Sequence, residues 1–281
     1  MKKYHVLLIA TLALSACGGS SNDTLQVESI YIEPAPGGSG IEGLASMSYR
    51  TSTMDTTLTI NGAQPADPGS YPVFLWFAGT NVSAWSADDE IITNMMAERG
   101  FVAVAVDYDT RGIYPGSCAA LSESVREVFD RTVTGSAINA ISSLPKADPS
   151  KGIVVAGFSQ GGNIASLAKN YNYDVQAAYV IGHGYNDNWG ADCYKNSDTT
   201  LPSDRMRSVM GENDGAWVNY SVDDQRGMLE ATTGYSCGSQ AMSCTQTNGS
   251  GWWLVTKRQT ADNVDKHCFL YGSGWCGAVP M

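Results

Sequence analysis

The chain has 281 residues and a formal net charge of −11, with 28 acidic side chains against 17 basic ones. An acidic surface argues against nucleic acid or anionic lipid as partners and says nothing about fold. The length suits one large domain; no charge block is long enough for a disordered tail, and no internal repeat or second linker is visible.

The chain opens with the basic head Met1-Lys2-Lys3 and an apolar run from Val6 to Leu14, too short to span a bilayer. Leu14-Ser15-Ala16-Cys17 follows and resembles the lipobox of bacterial lipoproteins. That resemblance implies a signal peptide over residues 1–16 and acylation of Cys17, giving an exported protein anchored to a membrane surface by its lipid. The alternative is an ordinary secretory peptide cut after Ala16. Residues 17–24 are then a flexible polar tether, and residues 25–281 a single domain.

Beyond Cys17 six cysteines remain: Cys118, Cys193, Cys237, Cys244, Cys268 and Cys276. An even number in an exported chain reads as three disulfides. Short separations favour Cys237–Cys244 and Cys268–Cys276, which leaves Cys118 with Cys193. A zinc site is disfavoured by the lack of any C-x-x-C pair and by the scarcity of histidine, so no metal is expected.

Alternating stretches at Leu25 to Ile32, Leu44 to Arg50 and Thr56 to Ile60 predict antiparallel edge strands. Tyr71 to Ala78 and Phe101 to Val106 predict buried strands, with a helix from Asp88 to Glu98 between them. Apolar spacing predicts one long helix from Ser122 to Leu144. After it, Gly152 to Ala156 is a strand, Asn163 to Tyr171 a helix with one apolar face, and Val175 to Ile181 a strand. Arg205 to Met210 and Trp252 to Thr256 predict further strands, with a helix from Val222 to Ala231 between them. Strands alternating with helices imply an α/β fold with a mostly parallel sheet covered on both faces.

Between one strand and the following helix sits Gly157-Phe158-Ser159-Gln160-Gly161. A strand that turns sharply into a helix at G-x-S-x-G exposes its serine in a strained conformation, and side chains at 157 and 161 would collide with the neighbouring strand and helix. A second match, Gly234 to Gly238 around Ser236, follows no apolar strand and precedes no helical stripe. Ser159 is therefore the candidate nucleophile.

This order of elements, with its elbow after the third buried strand, resembles the α/β-hydrolase superfamily over about residues 44–270. The short elbow, without a large inserted lid, is more similar to the dienelactone-hydrolase, cutinase and polyester-hydrolase branches than to lid-bearing lipases. The resemblance implies partners in the order Ser, acid, His. Serine needs a base, normally histidine, because its pKa lies near the working pH. His267, in a loop after the last strand, fits that order. His183, directly after the strand following the elbow, is the weaker alternative and better suited to a polar contact. The acid that orients the imidazole is expected in Gly211-Glu212-Asn213-Asp214, at Asp214, with Glu212 and Asp187 as rivals. The oxyanion hole is implied at the Gln160 N–H and, in the turn Phe77 to Asn81, at the N–H of Thr80 or else Gly79. Trp85, Tyr185, Trp189, Trp217 and Trp253 fall near the strand ends and are candidates for lining an apolar cleft.

These residues imply attack by Ser159 on a small or polymeric carboxylic ester, with activity rising as His267 deprotonates near pH ~6–7 and with no cofactor. An acyltransferase or peptidase using the same residues, or a non-catalytic binding lipoprotein, is the alternative.

Overall fold

The computed structural model describes residues 44–53, 57–80, 86–108, 118–183, 193, 200–214 and 221–260. Their nine strands form one sheet: β1 (Leu44–Ser52), β2 (Thr57–Pro65), β3 (Val73–Phe77), β4 (Val102–Asp107), β5 (Ile153–Phe158), β6 (Val175–Ile181), β7 (Met206–Gly211), β8 (Ser243–Thr245) and β9 (Gly251–Val255). The spatial order is β1-β2-β4-β3-β5-β6-β7-β9-β8. From β4 to β9 all neighbours run parallel; β1 and β2 add an antiparallel hairpin at one edge, and β8 an antiparallel strand at the other. The chain thus has an α/β-hydrolase fold, and β5 lies in the middle of the sheet.

The central strands are buried on both faces because helices cover both. On one face α1 (Ala87–Ala97) packs Ile92 and Met96 against Phe74, Trp76, Ala103 and Ala105. On the other, α2 (Cys118–Phe129), α3 (Ala137–Ser142) and α4 (Gln160–Leu167) cover Leu75, Phe77, Val104 and Val155. At the far end of the sheet, α5 (Val222–Thr233) sets Met228 and Leu229 on Met210, Trp252 and Leu254. Helix α1 starts on a capping box: Ser86 Oγ accepts the Asp89 N–H, and the Asp89 carboxylate accepts the Ser86 N–H at 2.7 Å. Asp89 is nonetheless buried, at 1% exposure, and its other oxygen takes the Trp76 indole N–H at 2.6 Å. One carboxylate thereby fastens the helix start to the sheet.

The single long helix expected from Ser122 to Leu144 is two helices, α2 and α3. The apolar spacing runs on across the break, but the backbone does not. Asp130 Oδ1 accepts the Thr132 N–H and hydroxyl at 2.8 and 2.7 Å, a local turn that competes with the helix. Gly135 then takes φ 76°. The gap is held from outside by Thr51, whose hydroxyl donates to Gly135 O at 2.8 Å, and from inside by the Asn139 amide on the Arg131 and Val133 carbonyls. The short polar strand β8, Ser243-Cys244-Thr245, is an addition that no apolar run announced. The expected strand at Leu25 to Ile32 lies outside the described residues.

Two disulfides are formed among the described residues, Cys118–Cys193 with Cα atoms 5.3 Å apart and Cys237–Cys244 at 5.5 Å. Both match the expected pairing; Cys17, Cys268 and Cys276 lie outside the described residues. No described helix is long and apolar enough to cross a membrane.

Candidate active site

At the carboxyl end of β5 the chain reverses into α4 within one residue, Ser159. Its backbone has φ 54° and ψ −123°, and it is the single non-glycine residue with positive φ among those described. Three hydrogen bonds hold it there. Its N–H donates to Ile181 O on β6 at 2.8 Å, continuing the sheet, while its carbonyl accepts the Gly162 and Asn163 N–H groups at 3.0 and 3.3 Å. The flanking glycines are sterically required. A Cβ on Gly157 would strike the Gly161 carbonyl, and one on Gly161 would strike the carbonyls of Phe77 and Ala78. Gly162 is nearly as confined, with His183 Cβ at 3.0 Å from where its Cβ would stand. Every residue of α4 is buried, so the helix is enclosed all round, where the sequence predicts a single apolar face. It also ends at Leu167, before a 3-10 turn at Ala168–Asn170.

The turn after β3 comes close to the elbow. A Cβ on Gly79 would stand 3.3 Å from Ser159 Cβ, so glycine is what allows this approach. The Thr80 hydroxyl donates to Gln160 Oε1, joining the side chains of both candidate oxyanion residues. Gln160 is fully buried, and its Nε2 has no hydrogen-bond partner among the described residues. On the other side Tyr108, following β4, donates its phenol O–H to Ala78 O at 2.9 Å. Sequence reasoning gave Tyr108 no role, and only its place after a buried strand, next to Asp107, hinted at one.

Asp214 follows β7 and is 3% exposed. Its N–H donates to Gly211 O at 3.1 Å, and its carbonyl accepts the Gln225 amide from α5 at 3.4 Å. Ser159 and Asp214 thus end β5 and β7 at the same edge of the sheet, with β6 between them. At a strand spacing of about 4.8 Å the two ends are about 10 Å apart, room for an imidazole bonded at both nitrogens. His267 itself lies outside the described residues, as do Asp187, Trp85, Tyr185, Trp189 and Trp217. Glu212, the rival for the acid, is half-buried and structural: its N–H donates to Val255 O at 2.8 Å and its carboxylate accepts the Lys257 N–H at 3.2 Å. Trp253 is a half-buried side chain within β9, not at a strand end.

His183 is completely buried after β6. Its Nε2 lies 2.5 Å from Thr232 Oγ1, which in turn lies 2.9 Å from Met228 O. Ser208 Oγ lies 3.4 Å from Nδ1. Burial pushes the His183 pKa down from 6.5 to about 3, which keeps the ring neutral and structural. Ser236, the serine of the second G-x-S-x-G match, is exposed just past the left-handed Gly234 that ends α5, and donates to Glu230 Oε1 at 2.7 Å. No group of three or more metal-ligating side chains occurs among the described residues.

A serine at a strained turn between the middle strand and a buried helix, with an acid two strands away, defines a hydrolase of the α/β-hydrolase class. The sequence profile of the dienelactone hydrolase family matches residues 64–226, more than half of the chain, and the chain belongs to that family. No curated protein matches the sequence. Among solved structures it is similar to one from Klebsiella pneumoniae subsp. pneumoniae MGH 78578 assigned as a dienelactone hydrolase. The TM-score is 0.51 at 16% identity over 81% of this chain and 89% of the other, a likeness of fold. An esterase from the fungus Rhizomucor miehei gives 0.46 at 14% identity over 76% and 74%, and an acylaminoacyl peptidase from Pyrococcus horikoshii 0.44 at 12% over 61% and 32%.

Proposed function

We propose that the protein is a serine hydrolase of carboxylic esters. The observation that carries this reading is Ser159, held at positive φ at the centre of the sheet's carboxyl edge between glycines that admit no side chain. A hydrolase family supports it at the coarser level. Ser159 Oγ attacks the ester carbonyl as His267 takes its proton, and Asp214 orients the imidazole and stabilises its charge. The N–H groups of Gln160 and Thr80 receive the oxyanion. The alcohol leaves with the proton from His267, and water then attacks the acyl-enzyme with His267 again as base, releasing the acid. A lactone is a cyclic ester, so the family's name adds lactones to the substrates worth testing.

The test is hydrolysis of p-nitrophenyl acetate, butyrate and octanoate and of dihydrocoumarin by the full-length chain in detergent, beside Ser159→Ala. Turnover by the parent and background rates for the variant are expected; equal rates would remove Ser159 from the mechanism. Transfer to an added alcohol outpacing hydrolysis would favour the acyltransferase reading. kcat/KM should rise with pH through a single step near ~6–7, the deprotonation of His267.

We further propose that Cys17 is acylated and holds the protein at a membrane surface on the exported side. Labelling with radioactive palmitate in a bacterial host should mark the wild type and spare Cys17→Ser; equal labelling of both would exclude Cys17 as the site.

A further inference from the structure

Two N–H groups can stabilise an oxyanion only if both lie about 2.7–3.1 Å from it at the same time. Here the proposed donors belong to separate stretches of chain, the turn after β3 and the first residue of α4. The strands leading to them, β3 and β5, are paired as far as Phe77 and Gly157, and both donors lie three residues beyond that ladder. Side chains tie them there. The Thr80 hydroxyl donates to the Gln160 carboxamide, bridging the two donor residues directly. Behind the turn, Tyr108 donates to Ala78 O at 2.9 Å and fixes the plane of the Ala78–Gly79 peptide. Tyr108 is itself wedged, 5% exposed, with its ring 6.0 Å from that of Phe77 on β3. Below the turn Gly161 packs so closely on the Phe77 and Ala78 carbonyls that no side chain fits. The turn is thus tied to β4 on one side and to α4 on the other.

We propose that the Thr80 hydroxyl, the Gln160 carboxamide and the Tyr108 phenol are positioning groups that set the spacing of the oxyanion donors. The proposal rests on the serine-hydrolase reading above. It assigns these side chains no contact with substrate; they act through the main chain. Gln160 is anchored through Oε1, which explains why a fully buried carboxamide stands at the first position of α4, where a solvent-facing or apolar residue would serve a purely structural helix.

The test compares kcat and KM for p-nitrophenyl butyrate in the full-length wild type, Thr80→Val, Thr80→Ser, Gln160→Met, Tyr108→Phe and two double variants. Because misplacement by an ångström can cost about a hundredfold, Thr80→Val and Gln160→Met are each expected to lower kcat by about 10–100-fold. KM should change by less than about threefold, the signature of an interaction expressed in the transition state. Thr80→Ser keeps the donor and should stay within about threefold of wild type in kcat. Thr80→Val with Gln160→Met should be no worse than either alone, since both break one bond. Thr80→Val with Tyr108→Phe should be worse than either, since two separate ties are cut. A kcat for Thr80→Val within about twofold of wild type, an equal loss in Thr80→Ser, or a change confined to KM would overturn the proposal. If Thr80→Val does not fold, Gln160→Met breaks the same bond from the other side and decides the question by the same limits. Ser159→Ala, run alongside, separates two kinds of failure. If it is as active as wild type, the nucleophile assignment and the positioning role fall together. If it is inactive while Thr80→Val is normal, the positioning role alone falls.

Discussion

At Ser159 a residue with a Cβ holds a backbone conformation that costs of order 1–3 kcal/mol. Removing the hydroxyl leaves that strain in place, and removing the Cβ as well releases it. Ser159→Gly should therefore unfold at higher denaturant than Ser159→Ala by about 1 kcal/mol, part of the relief being offset by glycine's freer unfolded chain. Equal midpoints would mean that the turn is not strained. His183 makes a second prediction at this scale. Its folded pKa of about 3 lies below its ordinary 6.5, so between those values the unfolded chain binds a proton that the folded one refuses. Its contribution is complete above pH 6.5 and falls by about 1.4 kcal/mol per unit as the pH drops toward 3. Urea titrations at pH 7 and pH 5 should show a larger drop for the wild type than for His183→Asn; equal drops would mean that the ring is protonated without penalty. The strained turn at Ser159 was legible in the sequence because its requirements are local: a strand, five residues, a helix. His183 was expected in a polar contact and makes one, but its partners Thr232 and Ser208, like the Ala78 partner of Tyr108, lie far away in sequence and nothing in the flanks announces them.

Among the elements, the strands were the easiest to read, since Val73–Phe77, Val102–Asp107 and Ile153–Phe158 are continuous apolar runs and a doubly covered sheet demands just that. The helix pair α2–α3 was misread for a physical reason. Both segments face one core, so Val125, Val128, Phe129, Ile138 and Ile141 keep a helix-like spacing even though the backbone between them turns. Asp130 and Gly135 carried the stop signal, and the apolar periodicity outweighed it. Gly135→Ala should destabilise the protein by about 1–2 kcal/mol, because φ 76° is unfavourable for alanine. A neutral result would mean that the break can re-form as helix. For α1, Asp89→Ala removes the carboxylate half of the capping box and the acceptor used by the Trp76 indole N–H and the Ser86 N–H, a loss of about 2–3 kcal/mol in chemical unfolding.

For the whole molecule, the two disulfides differ in what they restrain. Cys118–Cys193 closes a loop of 75 residues and ties the start of α2 to the connection between β6 and β7, whereas Cys237–Cys244 spans 7 residues beside β8. In the chain-entropy account the first contributes about 4.5 kcal/mol and the second about 2.4 kcal/mol. Replacing the first pair with serine should therefore lower the unfolding midpoint more than replacing the second; the reverse order would show that native-state packing, not loop closure, decides. Both pairings were foreseeable from separation, because a short-range pair removes itself from the choice. The turn that buries Asp214 after β7 was legible through its Gly-x-x-Asp pattern, but the way Glu212 ties β7 to the segment after β9 was not.

The hydrogen bond from Ser159 N–H to Ile181 O carries a consequence for how the chain comes into being. A ribosome delivers Ser159 before Ile181. Until β6 has emerged and paired with β5, residue 159 lacks the one of its three hydrogen bonds that comes from outside α4. Asp214 arrives later still. In the proposed mechanism, activity therefore switches on late, when the far half of the sheet closes against β5.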